Sequence, residues 1–345
     1  PSIIKSPIIT LDGTIQVNND LIFKDKVKIE PGTKFLFKKR KNLVFLNSVE
    51  AIGTKEKPII FKNSHLETVD DNNSWGSVVV QGNKTRKSKF ENVIMDGGSG
   101  GTINQFFYTS MFSLHDTSDI VLKNITLQNN RIYDDALHLV YCNNVLLDNI
   151  LIKNAFADAI DIDISNKILI KNSKFINPKN DSIDVMESSI IVDSTDISLS
   201  GDKGISIGEN SNVIVHNTFL YKNNTGIAVK DNSVAKIYYT DFKDNILHIS
   251  SYQKNYQYGN GGNINIIKSN FKSKINKIKS DNKSMVIIDD SSFNNKLKVK
   301  NSNIKLSNKI NFNSNRSTKD DLNLNKLGSM FKFVENVKNK NLTGS

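Results

Sequence analysis

The middle of the chain alternates apolar and polar positions in short runs that recur at a fixed spacing. Five consecutive segments each read apolar–x–apolar, then a polar turn, then a second short apolar run, and they begin at positions 135, 158, 181, 203 and 225. The matching apolar pairs are Leu137/Leu139, Ile160/Ile162, Ile183/Val185, Ile205/Ile207 and Ile227/Val229. Alternation with a period of two predicts strands with one buried face, and the recurrence predicts a solenoid of stacked coils.

A second set of residues keeps the same spacing. These residues follow the second strand of each repeat, and we call them the asparagine ladder: Asn124, Asn149, Asn172, Ser194 and Asn217. Stacked asparagines in turns can hydrogen-bond from one coil to the next. Short strands, polar corners and almost no helical periodicity predict an all-β fold, a single parallel β-helix with coils of about 22–25 residues and a rise of ~4.8 Å per coil.

The repeat is less regular on either side of this region. We predict N-terminal coils at 1–110, a regular core at 111–246, later coils at 247–312, and a C-terminal cap or loosely ordered tail at 313–345, with loops at 64–74 and 97–110. The predicted tail is polar and weakly patterned. Nothing in the composition suggests a linker, so the coils are predicted to form one domain.

Several motifs carry a family resemblance. The phrases "EPGTKFLF", "AIGTKEKPIIFKN" and "WGSVVVQG", with the run "DKGISIGENS…GIAVKDNS", resemble the right-handed parallel β-helix (pectate-lyase-like) superfamily of lyases, uronan epimerases and glycoside hydrolases. The run is most similar to bacterial surface β-helix domains associated with spore-coat-kinase-type proteins. The resemblance covers roughly residues 15–300. It implies a right-handed coil and an extracellular, cell-surface or periplasmic location, but this scaffold hosts many chemistries and some members have none.

Composition narrows the class of partner. The formal net charge is +11, yet only Arg40, Arg86, Arg131 and Arg316 are arginine among 46 basic residues. Base and phosphate readout favours arginine, so a solvated lysine surface is the better interpretation and nucleic acid is not an expected partner. No apolar run approaches the ~18 residues of a membrane span. The single cysteine, Cys142, excludes an internal disulfide framework and a cysteine-rich zinc site.

Stacking the coils turns scattered aspartates into one surface. The residues that open the repeats are the corner aspartates (Asp135, Asp158 and Asp181), followed by Lys203. Between the apolar pairs lie His138, Asp161 and Asp184, then Ser206, and two residues further on lie Val140, Asp163, Met186 and Gly208. The corner aspartates with Asp161, Asp163 and Asp184 are named the acidic strip. Neighbouring carboxylates would be ~5 Å apart, so a cation, a proton or a nearby lysine must offset their repulsion.

These positions supply the candidate site. The candidate catalytic residues are Asp161, Asp184, His138 and Lys203; the candidate substrate-binding residues are Asp163, Asp135, Tyr256 and Tyr258; the candidate calcium ligands are Asp158, Asp161, Asp181 and Asp184. For the corner aspartates, capping of turn N–H groups is an equal alternative. Lys203 either neutralises Asp181 or abstracts a proton α to a uronate carboxylate. His115 is expected to extend the patch, and the tyrosines either stack on sugars or anchor a glycine-rich loop.

Two functions from different classes fit the pattern. The first is a polysaccharide-binding or polysaccharide-modifying protein, lyase- or epimerase-like and calcium-assisted, with polysaccharide as its partner. A hydrolase version needs two carboxylates as acid and base, but Asn-Thr-Asp-Gly, Gly-His-Gly and Arg-Ile-Lys, which are typical of polygalacturonase-like enzymes, are missing. The second is a non-catalytic extracellular adhesion or scaffold module that binds glycan or protein. Metal delivery of the copper-accessory type fits poorly, because no cluster of soft ligands is present.

Overall fold

A computed structural model describes residues 7–64, 74–300 and 303–312, and in these ranges the chain forms 37 β-strands. The first half contains β1 (Ile8–Leu11), β2 (Thr14–Val17), β3 (Leu21–Phe23), β4 (Lys26–Ile29), β5 (Lys34–Phe37), β6 (Leu43–Phe45), β7 (Val49–Ile52), β8 (Ile59–Asn63), β9 (Val78–Gln81), β10 (Lys89–Asp96), β11 (Gly101–Ile103), β12 (Phe106–Tyr108), β13 (Phe112–His115), β14 (Ser118–Gln128), β15 (Leu137–Val140), β16 (Asn143–Lys153), β17 (Ile160–Asp163) and β18 (Asn166–Lys171).

The second half contains β19 (Lys174–Ile176), β20 (Ile183–Met186), β21 (Ser189–Asp193), β22 (Asp196–Ser198), β23 (Lys203–Gly208), β24 (Asn212–His216), β25 (Phe219–Tyr221), β26 (Thr225–Lys230), β27 (Val234–Tyr238), β28 (Asp241–Lys243), β29 (Leu247–Tyr252), β30 (Asn263–Ile267), β31 (Asn270–Lys272), β32 (Asn276–Ser280), β33 (Met285–Asp289), β34 (Ser292–Phe293), β35 (Leu297–Lys300), β36 (Ile304–Leu306) and β37 (Asn311–Phe312). Single 3-10 turns lie at Asn83–Thr85 and Tyr256–Tyr258.

The strands form long parallel sheets. One sheet has 12 strands, in the order β3-β6-β9-β13-β15-β17-β20-β23-β26-β29-β32-β35, so each strand pairs with the equivalent strand of the next coil. A second sheet has 23 strands and consists of two series, which the long strands β10, β14 and β16 join by running through both. A chain that turns from sheet to sheet and then stacks on itself is a parallel β-helix. The predicted fold class is confirmed.

The predicted register is also confirmed along the 12-stranded sheet. Leu137 pairs with Ile160, which pairs with Ile183, and His138 pairs with Asp161, which pairs with Asp184. The apolar residues of these strands are fully buried and face inward. Because side chains alternate along a strand, the intervening residues face outward in straight columns. The repeat spacing read from the sequence therefore gives vertical neighbours.

Aromatic and aliphatic stacks fill the interior. The rings of Phe35 and Phe61 stack at 4.6 Å between centroids, and Phe242, Phe271 and Phe293 continue the pattern at 4.9 and 4.6 Å. Complete burial of such a side chain contributes roughly 1.5–3 kcal/mol. One continuous core from Val17 to Phe293 supports the sheets from within, so the outer columns stand on a rigid platform.

The asparagine ladder forms in part: Asn149 bonds Asn124 and Asn217 bonds Ser194, whereas the links from Asn172 to Asn149 and from Ser194 to Asn172 are replaced by bonds to Asp148 and Asp193. Asn149 donates from Nδ2 to Asn124 Oδ1 at 2.8 Å, and Asn124 donates to Asn92 Oδ1 at 3.1 Å, which extends the ladder by one coil. Asn172 instead donates to Asp148 Oδ1 at 2.8 Å. These positions have positive φ, 53° at Asn124 and 58° at Asn149. Asparagine tolerates this left-handed conformation better than most residues, and that explains its recurrence at this corner.

The remaining predictions about chain organisation have mixed outcomes. The segment 97–110, predicted as a loop, contains the antiparallel hairpin β11–β12, in which Gly101 pairs with Tyr108. The predicted tail at 313–345 and residues 65–73 of the other predicted loop lie outside the described residues. Within the described residues, no helix has the length and apolarity needed to cross a membrane.

Candidate functional site

The site lies on the outer face of the 12-stranded sheet, across β13, β15, β17 and β20. His138, Asp161 and Asp184 form one outward column there, and Asp163 lies in the neighbouring column, paired with Val140 and Met186. All three predicted catalytic residues of the column are therefore on adjacent coils. Their side chains are partly exposed, so a ligand can reach them.

His138 contacts most of the other polar groups. Its Nε2 lies 3.2 Å from Asp163 Oδ2 and 3.5 Å from Asp161 Oδ2. On the other side of the ring, Nδ1 lies 3.1 Å from the hydroxyl of Thr109. A ring that is held from both sides has a fixed orientation, which is what proton transfer or metal binding requires.

Thr109 links His138 to Asp135, a contact that the sequence pattern does not predict. The Thr109 hydroxyl donates to Asp135 Oδ2 at 3.4 Å, while Asp135 Oδ1 is buried without a hydrogen-bond partner. Burial, together with the charges of Asp161 and Asp158, raises the pKa of Asp135 to about 10. Asp135 is 2% exposed, so this carboxyl is not in direct contact with solvent. Thr109 was missed by sequence reasoning because it lies in a segment without the repeat pattern.

The pKa of Asp161 is also raised. Burial, followed by the charges of Asp163 and Asp184, raises its pKa to about 8. Protonation of one aspartate is one of the three offsets that the sequence leaves open, and the raised pKa of Asp161 is consistent with it. At neutral pH this carboxyl therefore keeps its proton and can donate a hydrogen bond.

Asp158 and Asp181, the other two corner aspartates, cap backbone N–H groups of the next coil, as the structural alternative for these residues predicts. Asp158 Oδ1 accepts from the Asp181 backbone N–H at 2.7 Å and from Asn180 Nδ2 at 2.8 Å. Asp181 Oδ1 accepts from the Lys203 backbone N–H at 2.7 Å. Burial raises the pKa of Asp158 to about 7 and that of Asp181 to about 6. Asp135 lacks the equivalent bond from a backbone N–H group. Two corner aspartates therefore cap the next coil, whereas Asp135 has an Oδ1 atom without a hydrogen-bond partner.

Lys203 contacts acids on both sides. Its Nζ forms an ion pair with Asp202 and lies 3.6 Å from Asp181 Oδ2. Burial lowers the pKa of Lys203, but Asp181 and Asp202 outweigh it and raise the pKa above its usual value. A lysine that stays protonated favours the charge-neutralising interpretation over proton abstraction.

The patch continues toward the N-terminal coils. The His115 ring packs edge-on against the His138 ring at 5.4 Å, and the Tyr108 ring lies 5.3 Å from His115. Burial, together with the charge of His138, lowers the pKa of His115 to about 4. Tyr108 donates its hydroxyl hydrogen to Gln81. Tyr108 also borders a groove of about 510 Å³, lined in part by Lys24, Lys84 and Phe106.

The predicted tyrosines lie at a different corner. Tyr256 is 80% exposed. The Tyr258 hydroxyl donates at 3.3 Å to Oε1 of Glu187, the residue that follows β20. Asp231 anchors their loop by accepting two backbone N–H groups, from Lys254 and Asn255, at 2.7 Å each. The structure gives Tyr256 and Tyr258 no contact with the His138 cluster, which consists of His138, Asp161 and Asp163. Their position agrees with the anchored-loop interpretation, and a role in stacking on sugars stays a prediction.

The metal-binding prediction has a different geometry in the structure. Within the described ranges, three donor atoms converge only at Asp135, His138 and Asp161, all within 4.8 Å of one another. Asp161 belongs to both this group and the predicted calcium set, whereas Asp158 and Asp181 use their Oδ1 atoms in caps. Calcium remains a prediction.

Fold and site together define a class: a parallel β-helix with a histidine–carboxylate cluster on the outer face of its 12-stranded sheet. A family model described as "Right handed beta helix region" matches residues 110–271, and this match supports a right-handed coil. No curated protein matches the sequence significantly. The resemblance to spore-coat-kinase-associated domains stays a prediction.

Solved structures of the same architecture are similar to the chain. The mannuronan C-5 epimerase AlgE6 A-module of Azotobacter vinelandii is 12% identical with a TM-score of 0.55, over 84% of this chain and 91% of that one. The catalytic domain of a GH87 α-1,3-glucanase, in complex with tetrasaccharides, is 10% identical with a TM-score of 0.54, over 83% of this chain. The chain spans 64% of that glucanase structure. At these identities the likeness establishes the fold alone.

Proposed function

We propose that this protein is a polysaccharide-modifying β-helix protein that acts through the acidic strip. The observation that carries the proposal is the position of Asp161, which lies between His138 and Asp184 on adjacent coils and is partly exposed. Neighbouring coils place two carboxyl groups about 5 Å apart, a separation suited to acid–base chemistry on a sugar. Two structural neighbours, an epimerase and a glucanase, act on polysaccharides, which supports this substrate class.

A lyase- or epimerase-like reaction fits the groups best. A uronate lyase needs a group that neutralises the substrate carboxylate, and arginine is scarce in this chain. A protonated Asp161 can donate a hydrogen bond to that carboxylate instead. His138, oriented by Thr109 and Asp163, then accepts the C5 proton. The leaving oxygen takes up a proton from solvent water, and Asp184, on the coil after Asp161, relays that proton. Lys203 balances the charge of Asp181.

The groove beside Tyr108 supplies a path for the polymer. Its lysines, Lys24 and Lys84, offer charge to an acidic sugar, and the exposed ring of Phe106 offers a stacking face. Tyr108, which lines the groove, contacts the ring of His115, and His115 contacts the ring of His138. In this proposal the polymer binds in the groove and reacts at His138, Asp161 and Asp184 on the same face. An extracellular, cell-surface or periplasmic location is part of the same proposal.

A second function is favoured by the exposed aromatic side chains. Tyr256 is 80% exposed, and Phe106 and Phe107 are 60% and 52% exposed. Exposed rings of this kind stack on sugars or on protein partners. A non-catalytic module that binds glycan or protein would need these rings and no proton transfer.

A polysaccharide screen separates the two functions. Acidic and neutral polymers are incubated with the protein, and unsaturated-product absorbance, reducing ends and epimer content are measured. We expect Asp184→Asn to reduce the rate at least ~100-fold, because it removes a proton-transfer group. Asp161→Asn should reduce the rate less, about 10-fold, because its amide N–H can still donate to the substrate carboxylate. Asp196→Asn, on β22 of the other sheet, is the matched control and should keep wild-type activity. Full activity of both strip variants would refute the assignment, and tight binding without product would support the module.

A further inference from the structure

The geometry points to a zinc-type divalent metal site formed by Asp135, His138 and Asp161. One carboxylate oxygen from each aspartate and one ring nitrogen of His138 lie within 4.8 Å of one another. A catalytic zinc ion has three protein ligands and an open fourth position, and histidine nitrogen and carboxylate oxygen are both zinc ligands. The inference goes beyond the proposed function, since the ion needs no glycan in order to bind.

The first independent observation is the free oxygen of Asp135. Its residue is 2% exposed, and its Oδ1 is buried with no hydrogen-bond partner, while Oδ2 accepts from Thr109. Leaving a buried carboxyl oxygen unpaired is unfavourable, because no hydrogen bond offsets its loss of hydration. The equivalent oxygens of Asp158 and Asp181 both accept a backbone N–H. The one corner aspartate that lacks a cap is the one that faces His138.

The second observation is the support behind the ligands. Thr109 Oγ1 lies 3.1 Å from His138 Nδ1 and also contacts Asp135. If Nδ1–H donates to the threonine, Nε2 is left as the ligand atom, and the hydroxyl hydrogen remains available to Asp135. A partner of this kind fixes the tautomer and the ring orientation of a metal-binding histidine. One side chain therefore orients two of the three ligands.

The donor chemistry selects the metal. Calcium prefers six to eight oxygen ligands, whereas imidazole nitrogen with two carboxylates suits zinc. His138 Nε2 lies 3.5 Å from Asp161 Oδ2, close to the ligand–ligand separation of a tetrahedral site with bonds of about 2.0–2.2 Å. Binding requires Nε2 to give up its contact with Asp163 Oδ2, which is 3.2 Å away.

The metal also refines the proposed chemistry, and in that respect the inference rests on the proposed function. With the ion bound, His138 and Asp161 serve as ligands, and the ion rather than a protonated carboxyl contacts the substrate carboxylate. Proton transfer then falls to Asp163 and Asp184, which flank the three ligands in the neighbouring column and on the next coil.

Metal binding by the full chain, without any glycan, tests the inference. Isothermal titration with Zn²⁺, and Co²⁺ absorbance as a second readout, should show one ion per chain. We expect His138→Gln and Asp135→Asn to weaken Zn²⁺ binding at least ~100-fold, and Thr109→Val to weaken it about 10–100-fold as a supporting residue. Asp184→Asn is the matched control and should change zinc affinity less than ~3-fold, although the proposed function expects it to lose activity.

Circular dichroism identifies any variant that fails to fold. If His138→Gln and Asp135→Asn do not fold, the zinc affinity of Thr109→Val still tests the site. The inference is overturned if the wild type binds no Zn²⁺, if Asp184→Asn weakens binding as much as His138→Gln, or if Ca²⁺ binds the same residues more tightly. A zinc-binding protein without activity on any polymer would refute the proposed function and leave the metal site standing.

Discussion

The asparagine ladder and the corner aspartates form by the same stacking of coils, yet their chemistry differs. In the ladder, Asn149 donates to Asn124 and Asn124 donates to Asn92, so the amide of Asn124 is both donor and acceptor. In the corner column, Asp158 and Asp181 have only acceptor oxygens when ionised, and backbone N–H groups of the next coil satisfy them. A stack of asparagines is therefore self-sufficient, whereas a stack of aspartates depends on outside donors.

The difference shows where function can reside in a solenoid. An ionised carboxylate cannot donate to its neighbour, so each one needs an N–H group, a proton or a cation. In the corner column, backbone N–H groups bond Asp158 and Asp181, and Lys203 forms an ion pair with Asp181. Asp135 Oδ1 has no hydrogen-bond partner. The unsatisfied position marks the candidate site.

The pH dependence of stability gives the largest contrast between the two regions. The pKa of Asp158 is about 7 and that of Asp181 about 6 in the folded protein, above the ordinary value of 3.8. An acid with a raised folded pKa stabilises the fold only while it holds its proton, so stability falls as pH rises from about 4 toward 7. Between pH 5 and pH 8 these two shifts should lower the free energy of unfolding by about 4 kcal/mol. The raised pKa values of Asp135 and Asp161 act in the same direction, so urea titration should show a decrease of at least this size.

Asp158→Asn sharpens this prediction. Its amide oxygen can still accept the Asp181 N–H, but it carries no charge. The variant should be more stable than wild type at pH 8 by about 2 kcal/mol and should flatten the pH profile. Asp196→Asn, whose carboxylate is mostly exposed, is the control and should leave the profile unchanged. A wild-type protein that is equally stable at pH 5 and pH 8 would contradict the assigned shifts.

Lys203→Met tests the cation in the column. It removes the ammonium group 3.6 Å from the buried Asp181 carboxylate and keeps the aliphatic stem. We expect a loss of about 2 kcal/mol at pH 8, because breaking a buried pair leaves an uncompensated charge. The loss should shrink at pH 5, where Asp181 takes up a proton. Lys174→Met, which removes an exposed lysine 4.0 Å from Asp196, is the control. Equal losses at both pH values would argue against the ion pair.

Asn149→Asp is the reciprocal change and has the smallest expected effect. It puts an acceptor-only group into the ladder, where the Nδ2 donor to Asn124 is lost. The expected cost at pH 7 is about 1 kcal/mol, the value of one hydrogen bond, in chemical denaturation. Asn172→Asp, at the break where the partner is already the carboxylate of Asp148, should cost more through charge repulsion. If both variants are neutral, the ladder does not stabilise the fold.

The sequence by itself determined the fold and the register. A repeat of 22–25 residues with an inward apolar pair can bury its face only by stacking on the next repeat, so the columns His138–Asp161–Asp184 and Val140–Asp163–Met186 followed directly. The ladder followed in part, since asparagine at a positive φ is a local property of the corner.

Only the tertiary structure decided which aspartates are caps and which one is free. Asp135, Asp158 and Asp181 occupy equivalent places in the repeat, and their difference arises from Thr109, which belongs to a segment with no repeat pattern. Burial and the exact donors around a carboxyl depend on residues distant in sequence, and these set its pKa and its availability to a ligand. Periodicity can place side chains in a column, but the neighbours that the fold brings from outside the column determine their chemistry.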